Sequence, residues 1–345
     1  MEWWSLYSLF AAKVATFVVA LVIVLIMVAR ARSAGRQRGH DATLSIKERK
    51  ERFQPRMQQL QSMRMSDSEY KRWEKQQHKE EKARLKEEQS AQPVVWVLDF
   101  DGDLQASGTD EMAEEITSLI EGANKGDEVV LRLESGGGLV HSYGLAAAQL
   151  DRLREAGLKL TVCVDRVAAS GGYMMACCAD RLLAAPFAVI GSIGVVAQVP
   201  NVHRLLKKHD VDVEILTAGE HKRTLTMMGE NTEEGRRKFL EDLADTHALF
   251  KQHVRQRRPM LDIDKVADGD IWYGQQAVDL GLIDEVKTCE GYLSQRAQEG
   301  VNIFEISLTS PRSLVSRLAH GAESAVQRTV NACLQRALSW RSERM

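Results

Sequence analysis

Residues 128–150, with the sequence EVVLRLESGGGLVHSYGLAAAQL, combine a strand pattern, a glycine loop and a helix pattern in one short stretch. The strand pattern at 128–134 is a near-continuous apolar run, which is typical of a strand buried on both faces. The helix pattern after the glycines includes Leu145, Leu150 and Leu153. A buried strand that passes through glycines into a helix predicts one unit of an α/β fold.

The same order of strand and helix continues on both sides of this stretch. Strands are predicted at 94–100 (VVWVLDF), at 159–164 (KLTVCV), around Leu182, at 189–196 and at 211–216 (VDVEIL), and helices at 109–122 and 232–256. A turn at Trp272-Tyr273-Gly274 and a helix that ends near Gln298 close the series. Apolar strands that alternate with helices predict an α/β body with buried, largely parallel strands.

An apolar segment precedes this body. Leu6 to Ala29 is interrupted only by Lys13 and small polar residues and is long enough to cross a bilayer as one helix. Residues 1–30 are therefore predicted to be a transmembrane anchor. A cleaved signal peptide is the alternative, since Ala29-Arg30-Ala31 resembles a small-x-small cleavage site. The arginines that follow the span favour a body on the cytoplasmic side.

Two further segments flank the body, which is assigned to residues 93–299. Residues 31–92 are rich in charge and lack a wide apolar stripe, which predicts a charged helical stalk with a break at Pro55. Residues 300–345 predict a strand at 301–308 and then an amphipathic helix from Pro311. The apolar face of that helix would pack on the body or on a sister subunit, or lie on the membrane surface.

Composition limits the classes of partner and cofactor. The chain has 44% hydrophobic residues and a net charge of −2. Since it has no basic excess, we expect no nucleic acid partner. The odd number of cysteines and the absence of a C-x-x-C pair predict free thiols: Cys163, Cys177, Cys178, Cys289 and Cys333. Cys177 and Cys178 lie in an apolar run and are predicted to be small core residues. We expect neither a metal nor a cofactor.

Two glycine-flanked loops are candidates for the chemistry, and each follows a predicted strand, where open α/β sheets place their sites. The first, at 134–138 (ESGGG), exposes backbone N–H groups that can face a developing oxyanion. The second, at 168–173 (AASGGY), sets Ser170 between small residues at the start of a helix, with the Gly171 N–H as a further oxyanion donor. Each loop alone also fits an ordinary tight turn.

A serine nucleophile needs a base, because its hydroxyl is not ionised at neutral pH. Six histidines lie in the body, but none accompanies a serine and a carboxylate in a small-residue loop: His141, His203, His209, His221, His247 and His253. Lys222 ends a third loop at 218–222 (AGEHK), directly after the predicted strand at 211–216. Burial in a water-poor site would favour its neutral amine, which can accept a proton. A solvated loop lysine is the alternative.

Five motifs, in this order, resemble the signal peptide peptidase A family of Ser-Lys proteases, peptidase family S49. They are ESGGG at 134–138, AASGGYMMA at 168–176, GSIGV at 191–195, GEHK at 219–222 and ADGDIWYGQQAVDLGLIDEV at 267–286. The resemblance covers about residues 94–288. Together, the ordered motifs are far more specific than any one of them.

The resemblance implies a role for each matched residue. It makes Ser170 the nucleophile, Lys222 the general base and Ser192 the residue that orients the lysine amine. Gly137 and Gly171 would donate the oxyanion N–H groups. It also implies a body similar to the Clp protease and crotonase fold, with repeated ββα units, and a ring-shaped homo-oligomer in which the site is built between subunits.

The resemblance further implies a location and a substrate class. Family members are bacterial inner-membrane proteases, and their substrates are membrane-derived peptides, signal-peptide remnants or small misfolded proteins. The larger relatives face the periplasm, whereas the arginines that follow the span here favour the cytoplasm. The prediction therefore leaves both sides of the membrane as alternatives for the protease body. One departure concerns the first glycine loop: family members commonly have proline where this chain has Gly136, so the loop is expected to be more mobile before substrate binds.

Two other classes of function compete with this prediction. A crotonase-like enzyme acting on acyl-coenzyme A uses similar paired N–H donors, but it needs a carboxylate acid or base, and the glycine loops contain no acidic pair. A non-catalytic membrane scaffold would not need Ser170, Ser192 and Lys222, which are all present.

Overall fold

The computed structural model describes residues 43–87, 93–219 and 222–309. The chain divides into two compact units, residues 46–307 and residues 1–45 together with 308–345. The predicted anchor at 1–30 and the predicted amphipathic helix from Pro311 lie outside the described residues. Among the helices that are described, none combines the length and the apolar composition that crossing a bilayer requires.

The described chain alternates strands and helices. The strands are β1 (Thr43–Glu48), β2 (Val95–Gly102), β3 (Glu128–Ser135), β4 (Lys159–Val164), β5 (Val167–Ala169), β6 (Arg181–Ala184), β7 (Val189–Gly191), β8 (Ile271–Tyr273), β9 (Glu285–Val286) and β10 (Ile303–Thr309). The helices are α1 (Arg49–Arg64), α2 (Asp67–Glu87), α3 (Thr109–Gly122), α4 (Val140–Glu155), α5 (Gly171–Ala176), α6 (His203–Lys208), α7 (Glu233–Arg257), α8 (Gly274–Asp279) and α9 (Cys289–Gln298), with a 3-10 turn at Ile263–Lys265.

The strands form one mixed sheet in the order β1-β10-β2-β3-β4-β6-β9, with a branch in which β5 pairs with β3 and β7, and β8 pairs with β7. The pairs along the path from β10 to β9 are parallel, as are β3 with β5 and β5 with β7. The pair of β7 with β8 is antiparallel. The predicted α/β body with largely parallel strands is confirmed.

The core lies on both faces of this sheet, which explains the near-continuous apolar strand patterns. Val129 and Leu131 of β3 belong to the larger cluster, which includes residues of α3, α4 and α5. Val130, which points to the opposite face, packs in a smaller cluster with Cys163 and with residues of α9. Cys163, Cys177, Cys178 and Cys289 are free, as predicted, and all four are buried, which was predicted for Cys177 and Cys178; Cys333 lies outside the described residues.

The predicted stalk differs from the structure in two respects. Pro55 lies inside α1 and does not break it. The break falls at Met65, whose backbone is extended, and Ser66 then starts α2 by donating its backbone N–H to the Glu69 carboxylate (2.9 Å). The segment also contains β1, a polar strand that the charge pattern did not predict.

The strand predicted at 211–216 is wrong. The segment has no regular secondary structure, and Val211, Ile215 and Leu216 are 47%, 41% and 90% exposed. Alternating apolar residues form a strand only beside a neighbour that covers one face. No strand of the described residues pairs with this segment.

Candidate active site

Ser170 occupies a sharp turn between β5 and α5. Its backbone angles are φ 52 and ψ −120, which is an uncommon conformation for a residue with a side chain. The Ser170 N–H donates to the Gly191 carbonyl (2.8 Å), which fixes the turn to the neighbouring strand β7. Backbone strain of this kind costs about 1–3 kcal/mol and persists where surrounding structure determines it, often at functional sites. The half-buried Ser170 side chain is thus presented by a rigid, strained turn.

The first glycine loop lies directly against this turn. The pairing of Ser135 with Ala168 brings the ends of β3 and β5 together. Gly137 has φ +88, and a Cβ atom there would lie 2.6 Å from the Gly171 N and 2.7 Å from the Ser170 Cβ. Only glycine combines this backbone conformation with so close an approach. The two loops that the sequence singles out therefore meet at Ser170.

The N–H groups of the two loops differ in their partners. Gly171 is the first residue of α5, where backbone N–H groups have no partner inside the helix, and a helix N-terminus favours negative charge. The Gly137 N–H, by contrast, donates to Ser135 Oγ (3.1 Å). Gly138, which the sequence did not single out, has no hydrogen-bond partner for its N–H within the part of the chain that the structure describes. The loop thus offers two candidate donors beside Gly171.

Ser192 follows β7 as Ser170 follows the neighbouring strand β5. The register pairs Ala169 with Gly191, and Ser192 also has a positive φ, of 50. Its N–H donates to the Asp270 carbonyl (2.7 Å). Two half-buried serines in strained conformations therefore stand at the same edge of the sheet.

Lys222 is placed differently from the prediction. It is exposed, and its backbone N–H donates to the Gly219 carbonyl (3.2 Å). Within residues 43–87, 93–219 and 222–309, no hydrogen bond joins its amine to Ser170 or Ser192. The expected burial of Lys222 is wrong for the single chain, because it depended on a buried strand at 211–216 that does not form.

The histidines give no alternative base in the described part of the chain. His247 Nε2 lies 3.2 Å from the Ile193 carbonyl, and His253 Nε2 lies 2.9 Å from the Met174 carbonyl. No described histidine is hydrogen-bonded to Ser170, and His221 lies outside the described residues.

One cluster has the atom types of a metal site. The ligand atoms of Cys177, Cys178 and His253 lie within 4.8 Å of one another. Both thiols lie within hydrogen-bond distance of the Met174 carbonyl, as does His253 Nε2. Burial raises the pKa of Cys177, so this thiol keeps its proton. The cluster is satisfied as a part of the core, as predicted for the two cysteines.

A buried pair of hydroxyl groups beneath the glycine loop was not predicted. Ser135 Oγ and Tyr143 Oη lie 2.6 Å apart, and the Tyr143 hydroxyl donates to the Asp103 carbonyl (2.7 Å). In the sequence these residues are eight positions apart, on a strand and on a helix, so no local pattern links them.

Comparison with known proteins bears on this site directly. The model of the peptidase family S49 N-terminal region matches residues 2–150, and the model of peptidase family S49 matches residues 152–303. The chain belongs to peptidase family S49. The two S49 matches include all five motifs, Ser170, Ser192 and Lys222.

Relatives of known name agree with the S49 assignment. The chain is 46% identical over 330 residues to the probable protease SohB of Haemophilus influenzae, which covers 92% of this chain and 93% of that protein. It is 55% identical over 204 residues to the probable protease SohB of Buchnera aphidicola subsp. Schlechtendalia chinensis, which covers 59% of this chain and 67% of that protein. The chain is therefore an S49 family protease similar to SohB proteins.

Proposed function

We propose that this S49 protease is a serine endopeptidase in which Ser170 is the nucleophile and Lys222 the general base. The observation that carries the proposal is the strained Ser170 turn, with the Gly137 loop packed against it and with the Gly171 N–H at the start of α5, which has no partner among the described residues. A nucleophile beside preorganised N–H donors is the arrangement that acyl transfer requires.

The reaction follows from these groups. The neutral Lys222 amine removes the proton from Ser170 Oγ, which attacks the peptide carbonyl. The oxyanion of the tetrahedral intermediate accepts hydrogen bonds from the Gly171 N–H and from the glycine loop. The proton passes from Lys222 to the leaving amine, and water then attacks the acyl ester, with Lys222 again as base. For Gly137 to take part, its N–H has to turn from Ser135 Oγ or to be shared with it.

A second copy of the chain would complete this site. Lys222 is exposed in the single chain, and the segments on both sides of it carry exposed apolar residues: Val211, Ile215, Leu216, Met227 and Met228. We propose that these residues pack in a ring-shaped homo-oligomer. Lys222 of one protomer would then be buried near Ser170 of its neighbour and oriented by the Ser192 hydroxyl. Burial would favour the neutral amine that a base requires.

Three further parts of the proposal rest on the sequence. A single-pass helix at 1–30 would anchor the protease in a bacterial inner membrane. The arginines that follow this helix favour a protease body on the cytoplasmic side. Its substrates would be membrane-derived peptides, signal-peptide remnants or small misfolded proteins. The body would share the Clp protease and crotonase fold, with which the parallel strands and glycine loops agree.

The test uses the full-length protein in detergent and a peptide substrate with an apolar cleavage site. Ser170→Ala and Lys222→Ala should each abolish cleavage while the thermal unfolding temperature is unchanged. Lys208→Ala, in which an exposed lysine of α6 is removed, is the matched control and should retain activity. Cleavage by Ser170→Ala at the wild-type rate would refute the proposal.

Mixing the two inactive variants tests the shared site. If the dyad is built between protomers, hybrid oligomers contain some intact pairs, and activity returns. If the dyad lies within one chain, the mixture stays inactive.

A further inference from the structure

We propose that Tyr143 and Ser135 are positioning residues for the oxyanion-binding loop. They would hold the backbone of Gly137 in place by a directed chain of buried hydrogen bonds. This inference rests on the proposed Ser170 chemistry and extends it to two side chains that contact neither the substrate nor the nucleophile oxygen.

The direction of each hydrogen bond follows from the groups involved. The Asp103 carbonyl can only accept a hydrogen bond, so the Tyr143 hydroxyl donates its single proton to this carbonyl (2.7 Å). Ser135 Oγ must therefore donate its proton to Tyr143 Oη (2.6 Å). This leaves a Ser135 lone pair to accept the Gly137 N–H (3.1 Å). The chain has one proton arrangement, and each of its groups is satisfied.

The hydrogen-bond network joins both ends of the glycine loop to the backbone carbonyl of Asp103. Ser135 ends β3, where the loop begins, and Tyr143 lies in the first turn of α4, where the loop has ended. The Asp103 carboxylate accepts the Gln105 and Ser107 N–H groups (3.1 and 2.9 Å), which fixes the segment that carries the acceptor carbonyl. Burial raises the pKa of Tyr143, so the phenol keeps its proton at neutral pH.

The Tyr143 ring also contacts the second loop. Tyr143 is fully buried, and a Cβ atom on Gly171 would lie 2.5 Å from its Cγ. At Gly102, a Cβ atom would lie 2.5 Å from both Ser135 Oγ and Tyr143 Oη. One side chain thus supports the Gly171 backbone with its ring and the Gly137 backbone, through Ser135, with its hydroxyl. A shift of Tyr143 would therefore displace the Gly171 N–H and the glycine loop, whose Gly138 N–H has no partner among the described residues.

The experiment compares two buried tyrosines in the full-length protease. Tyr143→Phe removes the hydroxyl of the network. Tyr292→Phe removes a hydroxyl that is also buried and donates to a fixed acceptor, the Glu128 carboxylate, but bonds no group of the glycine loop. Thermal unfolding shows whether the two variants lose similar stability. Tyr143→Phe should lower kcat by roughly tenfold to a hundredfold with KM little changed, because loop misplacement weakens binding of the transition state alone. Tyr292→Phe should keep its kcat.

Two more measurements separate positioning from general destabilisation. A peptide boronic acid, which forms a tetrahedral adduct with the serine, should bind Tyr143→Phe more weakly by the same factor as kcat/KM falls. Ser135→Ala should give a similar loss, and the double variant should lose little more than either single variant, since all act through one chain. Should Tyr143→Phe fail to fold, Ser135→Ala and the boronic acid carry the test.

The outcomes distinguish this inference from the proposed function. Equal kcat values for Tyr143→Phe and Tyr292→Phe, with Ser170→Ala inactive, would overturn the inference and leave the serine mechanism intact. An active Ser170→Ala would instead overturn the serine mechanism, and the inference with it.

Discussion

Gly137→Ala tests the geometry at Ser170 most directly. At φ +88, an alanine costs about 1–2 kcal/mol relative to glycine because its Cβ crowds the backbone. In addition, the new Cβ would lie 2.6 Å from the Gly171 N, 2.7 Å from the Ser170 Cβ and 2.8 Å from the Ala169 carbonyl oxygen. These groups belong to the nucleophile turn and have to separate from Gly137 by roughly 1 Å to reach van der Waals contact. Displacement of reacting groups by about 1 Å costs about a hundredfold in rate.

The chain offers a matched control for the backbone cost. Gly126 has φ +95, and a Cβ atom there would meet no atom within 4 Å. Gly126→Ala should therefore lose about 1–2 kcal/mol of unfolding free energy and keep its activity. Gly137→Ala should lose at least as much stability and, separately, about a hundredfold in kcat/KM, or about 2.7 kcal/mol in the barrier. Urea unfolding and peptide cleavage measure the two effects. Equal activities for the two variants would refute the placement of the glycine loop against the nucleophile.

Three further predictions concern the loop and the scaffold. Burial alone would raise the pKa of Asp284, but the Arg258 guanidinium and a backbone N–H outweigh it and hold this pKa below its usual value. The ionised Asp284 therefore stabilises the fold above its unfolded-state pKa, and this stabilisation is lost as the pH falls through the lower folded-state pKa. Asp284→Asn should lose about 1 kcal/mol of unfolding free energy at neutral pH, and its unfolding temperature should change less with pH in the acid range. A Cβ atom at position 136 would meet no atom within 4 Å, so Gly136→Pro should raise the unfolding free energy by about 0.5–1 kcal/mol without lowering kcat; reduced stability would show that the loop needs glycine there. Glu128→Gln leaves the buried Thr161 hydroxyl and the half-buried Arg296 guanidinium poorly matched and should lose about 2–3 kcal/mol in urea unfolding; a loss below about 0.5 kcal/mol would contradict a stabilising role.

The parts of the fold that the sequence predicted well have strong local signals. The helix predicted at 109–122 coincides with α3, and the one at 232–256 differs from α7 by one residue at each end. Thr232 caps α7 by accepting the Gly235 N–H, so a local contact marks that boundary. The central strands were predictable because both of their faces are buried.

The failures involve segments whose structure depends on distant partners. β1 is polar and lies at the end of the sheet beside β10, more than 250 positions away, so its pattern carries little information. The segment at 211–216 has the alternation of a strand but no neighbour in the single chain. In both cases, pairing rather than composition decides the structure.

The residues of the candidate site also differ in how well the sequence could predict their positions. Ser170 and Gly137 could be brought together from sequence, since each follows a predicted strand and parallel strands end at a common edge. Ser192 was identified only through the family resemblance, because the strand predicted at 189–196 included it, whereas β7 ends at Gly191. The burial expected for Lys222 was wrong for the single chain, because it depended on a strand at 211–216 that does not form, and exposure was only the alternative. Tyr143 was missed because its partners, Ser135 and Asp103, are linked to it only by the fold.

The crowding at Gly102 constrains how this site can change during evolution. A side chain at position 102 would collide with the Ser135 and Tyr143 hydroxyl oxygens together, so position 102 can take a larger residue only where both hydroxyl groups are absent or displaced. Relatives that keep the serine and the tyrosine should keep glycine at 102, and relatives with a larger residue there should have replaced both hydroxyl groups. The geometry therefore predicts that a change at position 102 is accompanied by changes at positions 135 and 143, and the pattern of replacement across S49 sequences tests this expectation.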